Sequence, residues 1–336
     1  MLPNRRDFLL GATTTAAAGL AWSNRRRGAL AAEAPPETTR VTIARGPSLC
    51  IMPQYVVDEL LADEGITRVD YIVTDSGPLL SQAIASGQVD FAMTFSGPLV
   101  LELDRGKRIT MLAGVHVGCF ELFTREGINS VADLKGKSVG TQGLGSSAHV
   151  FISAMAALVG LDPAKDINWV TSAEPKPIDL FLDGKVDAFL GFPPEPQRLR
   201  AQGVSHVIVN SAQDRPWSQY FCCMLVGNPE FVRTKPNTAK SVVRAMLRAT
   251  DLCVSEPTRV ARRVVDRGFT PNYDYAVRTL SDVPYGKWRD YDPEDTIRFY
   301  ALRLREARML KSNPARIIAD AVDWRFLNEV RRELGS

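Results

Sequence analysis

What the chain lacks narrows its chemistry first. Its 336 residues include three histidines, five cysteines and 8% aromatics. His116, His149 and His206 are scattered without metal-ligand spacing, and Cys50, Cys119, Cys222, Cys223 and Cys253 form no C-x-x-C pair. An odd cysteine count without local spacing argues against both a disulfide-stapled scaffold and a zinc site, so buried small thiols are expected, with no metal and no cofactor. The one pairing left open is Cys119 with Cys222 or Cys223, in two apolar segments expected at a domain junction. A G-x-S-x-G elbow is missing, no G-x-G-x-x-G follows a strand, and residues 143–147 lack the Gly-Lys-Ser/Thr ending of a phosphate loop. Catalysis is therefore the weaker reading, and no catalytic residue is assigned. No apolar run reaches the roughly 20 residues a membrane-spanning helix needs.

A surplus of charge is also missing. The net charge is +3, but residues 1–31 hold five arginines against Asp7, a net of +4, so residues 32–336 carry −1. Nucleic-acid binders show a basic stripe that neutralises phosphates. The arginines at 259, 262 and 263 and at 303, 305 and 308 instead alternate with apolar residues at helical spacing. They read as solvated helix faces, and no nucleic-acid partner is expected.

What is present begins with an address. Asn4-Arg5-Arg6-Asp7-Phe8-Leu9-Leu10 precedes a small, apolar run over 11–22, and then Ala29-Leu30-Ala31. That order is an export signal, and the paired arginines followed by x-Phe-Leu are like the twin-arginine signal of folded bacterial exports. The expectation is an address over 1–31, cut after Ala31 or Ala34 or retained as an anchor, a flexible leader over 32–39, and a periplasmic protein that meets the twin-arginine translocase.

From residue 41 onward, short β-rich runs alternate with amphipathic helical ones. Strands are predicted at 41–45, 68–73, 89–94 and 110–115, with helices at 53–62, 78–85 and 98–104 between them. A second unit follows, with strands at 121–124, 138–141, 167–170, 188–190 and 206–208 and helices at 131–134, 148–158, 178–182 and 195–202. The chain crosses back through 220–226, and 236–336 is nearly all helical, for example 239–253, 257–266 and 293–309. Strands separated by helices predict a mostly parallel α/β sheet in each unit. Two phrases echo one another: Ser86-Gly87-Gln88-Val89-Asp90 and Asp183-Gly184-Lys185-Val186-Asp187 each read as helix, glycine stop, then a strand opened by Val-Asp. Two such echoes argue for duplicated lobes, the first over 40–120 plus 222–336 and the second over 121–221.

These phrases, together with Ser76-Gly77-Pro78, Ser130-Val131-Ala132-Asp133-Leu134-Lys135-Gly136-Lys137-Ser138-Val139-Gly140 and Gly184-Lys185-Val186-Asp187-Ala188, resemble the periplasmic solute-binding proteins of the aliphatic-sulfonate, taurine and nitrate type and their thiamine-pyrimidine-precursor-like relatives. The resemblance covers residues 40–260. It implies a type II periplasmic-binding fold: two Rossmann-like lobes joined by a two-strand hinge, with the helical tail as a C-terminal extension. It also implies a monomer that clamps a small anion and delivers it to the permease and ATPase of an ABC importer. A precursor-related binder or enzyme, or a ligand-sensing subunit of a receptor, is the alternative it leaves open.

Ligands of open α/β sheets bind beyond the carboxyl ends of the strands, where helix N-termini offer unsatisfied N–H groups to anions. The loops there supply the ligand-contact candidates Arg45, Ser48, Leu49, Ser76, Gly77, Phe95, Ser96, Gly97, Gly145, Ser146, Ser147, His149, Pro194 and Glu195. Each keeps a second reading: the serines suit helix caps, Phe95 suits packing, Arg45 a salt bridge, His149 a surface or hinge position, and Glu195 the first turn of a helix.

Overall fold

The computed structural model describes residues 33–74 and 77–335. The export address over 1–31 and the candidate Ser76 lie outside them. Among the described residues no helix is long and apolar enough to cross a membrane.

Two five-stranded sheets organise the chain. The first contains β1 (Arg40–Arg45), β2 (Arg68–Val73), β3 (Phe91–Phe95), β4 (Thr110–Val117) and β10 (Phe221–Gly227). The second contains β5 (Glu121–Thr124), β6 (Ser138–Thr141), β7 (Asn168–Thr171), β8 (Ala188–Gly191) and β9 (Val207–Asn210). Their orders, β2-β1-β3-β10-β4 and β7-β6-β8-β5-β9, follow one plan. In each, four strands run the same way, and the fourth position in the order holds the one reversed strand, which has just crossed from the other half. Because it enters from the opposite end, β10 is antiparallel to β3 and β4, and β5 is antiparallel to β8 and β9. Residues 220–226, expected as a crossing run, are thus mostly a sheet strand. All seven residues of β10 are buried, which is why the sequence there is continuously apolar rather than alternating.

The connecting helices of the first half are α1 (Met52–Asp63), α2 (Pro78–Ala85) and α3 (Ser96–Asp104); those of the second are α4 (Ser147–Leu158), α5 (Pro177–Leu182) and α6 (Glu195–Ala201). Proline at N1 or N2 opens α1, α2, α5 and α6, where its missing N–H costs no intrahelical bond. Gln54, fully buried on α1, ties that helix to the sheet: its Nε2 donates to the Ala44 carbonyl at 2.8 Å and its Oε1 accepts from the Met93 N–H at 2.9 Å. Leaving either group unpaired there would cost on the order of 1–3 kcal/mol.

The echoed phrases form the same device twice. Gly87 and Gly184 both sit at φ +76°, ending α2 and α5 in the left-handed region. Asp90 Oδ2 then accepts from the backbone N–H and hydroxyl of Thr42 at 2.7 and 2.8 Å. Asp187 Oδ2 does the same with Ser138, at 2.7 Å for both. The return bonds, from Asp90 N–H and Asp187 N–H to the same hydroxyls, are 2.9 and 3.0 Å. The strand expected at 89–94 starts at Phe91 because Asp90 is spent on this bracket.

The tail supplies α7 (Pro229–Thr234), α8 (Pro236–Ser255), α9 (Pro257–Asp266), α10 (Tyr273–Asp282), α11 (Pro293–Glu306), α12 (Pro314–Ala321) and α13 (Arg325–Glu333). α8 packs on α1, whereas α11 packs on both α3 and α4, one helix from each half. The helix expected over 293–309 stops at Glu306, where Arg308 turns to φ +58°. A further tie to the second half comes from Gln197 on α6, whose Nε2 donates to Asp282 at 2.8 Å.

Candidate functional site

Both crossings pass through one tight junction. The Ser211 hydroxyl is fully buried, accepts from the N–H groups of Cys119 and Phe120 at 3.0 and 2.9 Å, and donates to the Phe120 carbonyl at 2.8 Å. Gly118, at φ +44°, lies so close to this segment that a Cβ would fall 2.2 Å from the Ser211 carbonyl oxygen. Only glycine fits.

Above the junction the loops at the carboxyl ends of β1, β3 and β8 meet. The Leu49 N–H and the Ser48 hydroxyl, from the first half, donate to the Pro193 carbonyl of the second at 2.8 and 3.1 Å. Ser48 heads a 3-10 turn, yet its side chain makes no cap bond there; it is spent on this bridge. Beside it, Phe95 and Phe192 face each other with centroids 4.5 Å apart. Phe151 and Phe120 extend the group, Phe120 lying 4.5 Å from Phe151 and 6.1 Å from Phe192. Phe192 is followed by Pro194, which heads α6, and by Glu195 in its first turn. The Glu195 carboxylate accepts from the Phe192 N–H at 3.2 Å. Burial pushes its carboxyl up to about 7, against that hydrogen bond, which favours the charged form.

The remaining candidates divide. Ser96 is buried and donates to the Phe221 carbonyl at 2.7 Å, so its hydroxyl holds β10 rather than capping α3. Gly97 is a close-approach position: a Cβ would meet the side chains of Phe151, Val150 and Tyr300 at 3.3–3.5 Å. Arg45 lies against the tail, its guanidinium donating to the Gly268 carbonyl and resting 4.8 Å from the Phe269 ring centroid. The salt bridge entertained for it is replaced by these two contacts. Gly77, at φ +83°, precedes α2 and has open space where a Cβ would go.

Gly145, Ser146 and His149 gather at the start of α4. Ser146 caps that helix by accepting from the His149 N–H at 3.5 Å, and it shares a 2.7 Å bond with Thr141. Gly145 N–H donates to His149 Nδ1 at 3.1 Å, and the ring stands edge-on to Trp169 with centroids 4.5 Å apart. Burial first, then the positive Arg105, lowers His149 to about 4, so the ring is neutral at physiological pH. Ser147, one residue into α4, is buried and its hydroxyl has no hydrogen-bond partner. Buried hydroxyls are ordinarily paired, and this one is an exception.

Phe120, Phe151 and Phe192 are the members that sequence reasoning did not single out. A phenylalanine in a strand end or an apolar helix carries the same signal as ordinary core, and only the aligned loops show Phe151 and Phe192 against Phe95, with Phe120 against both of them.

With this geometry in hand the chain can be compared with known proteins. The NMT1/THI5 like family pattern matches residues 58–260, and the protein belongs to that family. No curated protein matches the chain in sequence. Among solved structures, the periplasmic nitrate-binding protein NrtA from Synechocystis PCC 6803 superposes with a TM-score of 0.74 at 16% identity, over 90% of each chain. The alkanesulfonate-binding protein SsuA from Xanthomonas axonopodis pv. citri, bound to MOPS, gives 0.67 at 18% identity over 86% of this chain and 99% of its own. The aliphatic sulphonate binding protein SsuA from Escherichia coli gives 0.65 at 17%, over 84% and 92%. The fold is therefore the type II periplasmic-binding fold: two α/β halves joined by crossings at 118–120 and 211–220, which are irregular rather than the two strands expected, and extended by a helical C-terminal segment.

Proposed function

We propose that the protein is the periplasmic ligand-binding component of an ABC importer, closing its two lobes over a small anionic solute such as nitrate, a sulfonate or a carboxylate. The observation that carries this reading is the pair of bonds from Ser48 and Leu49 to the Pro193 carbonyl, which joins loops of opposite sheets where open α/β folds take ligands. The structural neighbours named for nitrate and sulfonates support it. Ser147 offers an unpaired hydroxyl at the positive end of α4. A second reading, a planar solute related to pyrimidine precursors that is bound or turned over, is favoured by the phenylalanines 95, 120, 151 and 192.

In this proposal the lobes are 40–120 plus 222–336 and 121–221, and closure is a hinge motion on the μs–ms scale. The protein works as a monomer, exported by the twin-arginine translocase, with an inner-membrane permease and ATPase as partners. A ligand-sensing subunit would use the same clamp.

Thermal-shift titrations of the full chain with nitrate, alkanesulfonates, carboxylates and pyrimidines test the reading. A ligand at a hundredfold its Kd stabilises by about 2.7 kcal/mol. Ser147→Ala is expected to weaken the responding anion while leaving the unliganded Tm within about 2 °C, since it removes no existing bond. Absence of any shift, together with turnover of one compound, overturns the binding reading.

A further inference from the structure

Beside the crossings, four side chains from three distant parts of the sequence gather together. The Sγ atoms of Cys50, Cys119 and Cys223 and a ring nitrogen of His116 all lie within 4.8 Å of each other, and all four residues are buried. Cys50 follows β1, His116 is the penultimate residue of β4, Cys119 lies in the first crossing, and Cys223 is in β10. His116 and Cys223 are direct neighbours on paired strands, where β10 is irregular between Phe221 and Met224. That irregularity re-aims the side chains of β10. Cys50 and Cys223 have their sulfurs 4.0 Å apart.

One atom in this group has no ordinary explanation. His116 is 0% exposed, and its Nε2 has no hydrogen-bond partner. Its Nδ1 faces the Val117 carbonyl at 3.3 Å. In the tautomer that donates Nδ1–H to that carbonyl, Nε2 is the ring nitrogen left for a further ligand. A hydrogen bond on one ring nitrogen fixes the tautomer and orientation in which the other binds a metal.

We propose that Cys50, His116, Cys119 and Cys223 form a tetrahedral site for a soft divalent cation, with zinc as the ion it fits. Three thiolates and one imidazole nitrogen are a closed structural zinc set. Zn–S bonds of about 2.3 Å place ligand sulfurs about 3.8 Å apart in a tetrahedron, so the Cys50–Cys223 pair already matches and the widest pair closes by about 1 Å. Binding releases the three thiol protons to solvent, and no oxidant or reductant is required. The ion would pin the loop after β1 to both crossings. Ser48, whose hydroxyl lies 3.1 Å from the Cys50 sulfur and also bonds Pro193, would then link the metal directly to the contact between lobes.

Cys222 makes the competing chemistry explicit, because its sulfur lies 3.0 Å from that of Cys119. All five cysteines are free in the structure. An oxidised Cys119–Cys222 pair would remove one ligand and abolish the four-ligand site.

The test uses the full chain without a histidine tag, purified under reductant and titrated with cobalt(II), then with zinc. The expected result is one equivalent of cobalt with thiolate charge-transfer bands and the strong visible bands of a tetrahedral site, displaced by one equivalent of zinc. Cys50→Ser and Cys223→Ser are expected to weaken zinc by more than the 10–100-fold that loss of an outer-shell partner costs. Cys253→Ser, which alters a buried thiol outside the group, is expected to bind as the parent does. Should the Cys223 variant fail to fold, the Cys50 variant and zinc analysis of the parent protein decide the matter. Absence of tetrahedral bands, equal binding by the Cys50 and Cys253 variants, or a Cys119–Cys222 disulfide in protein recovered from an oxidising compartment would each overturn the site.

Discussion

The two halves of the molecule use one plan and differ in what covers it. Each sheet has the same strand order, the same glycine at φ +76° and the same aspartate bracketing a hydroxyl residue on the neighbouring strand. Yet the first half shares its core with the tail, down to Trp288, Tyr285 and Tyr300, each no more than 1% exposed. The second half divides: Val139, Phe151, Ile152 and Leu190 join that same core, while Phe123, Phe181, Phe189 and Leu199 form a small separate cluster. The repeated turn chemistry closes each α/β unit locally. The difference lies in the tail, which packs most of its helices on the first half and meets the second through α11, whose Tyr300 ring lies 5.5 Å from that of Phe151, and through Asp282.

That comparison can be broken where the halves join. Gly118→Ala should cost more than about 4 kcal/mol, because its Cβ would collide with the Ser211 backbone at a left-handed φ. Urea melts of the variant read this directly, and a loss below 1 kcal/mol would mean the junction is loose.

The equivalence of the brackets is the next target. Asp90→Ala and Asp187→Ala each remove two charge-assisted bonds and should each cost about 2–4 kcal/mol. Similar losses, within about 1 kcal/mol, would show the two devices equally supported. A much larger loss at Asp90 would mean the tail makes the first half the more demanding of the two.

The smallest effect concerns an asymmetry. Where α3 begins with the hydroxyl of Ser96, α6 begins with the carboxyl of Glu195. Glu195 is held up at about 7 by burial, against an ordinary value of 4.5. The folded chain thus binds this proton more tightly than the unfolded chain. The resulting penalty is absent below about pH 4.5, grows as pH rises through 4.5–7, and is complete above 7. Glu195→Gln keeps an acceptor for the Phe192 N–H and removes the penalty. It should stabilise by about 1–3 kcal/mol at pH 8 and leave stability unchanged at pH 4. A gain independent of pH would rule out burial of the charge as its cause.

Much of this organisation was legible along the chain. The strands at 68–73, 121–124 and 138–141 and the helices at 78–85 and 257–266 stand where periodicity and proline placed them. The fate of single site residues was not legible. Ser48, Ser96 and Ser146 carry the same cap signal, and they separate into a bridge between lobes, a hold on β10 and an actual cap. Arg45, expected as an anion contact or a salt bridge, reaches the tail at Gly268 and Phe269. Ser48 and Ser96 find partners more than a hundred residues away, at Pro193 and Phe221, which no local signal shows.

The sequence by itself determined the alternation of elements, the paired Gly-x-Val-Asp turns and the near-neutral body, because turn chemistry and helix and strand periods act over a few residues. Only the tertiary structure decided that an apolar run would enter the first sheet antiparallel and that four phenylalanines would face one another. It also decided that Cys50, His116, Cys119 and Cys223 would meet. Those outcomes depend on long-range packing, in which chain segments far apart in sequence share one small buried volume.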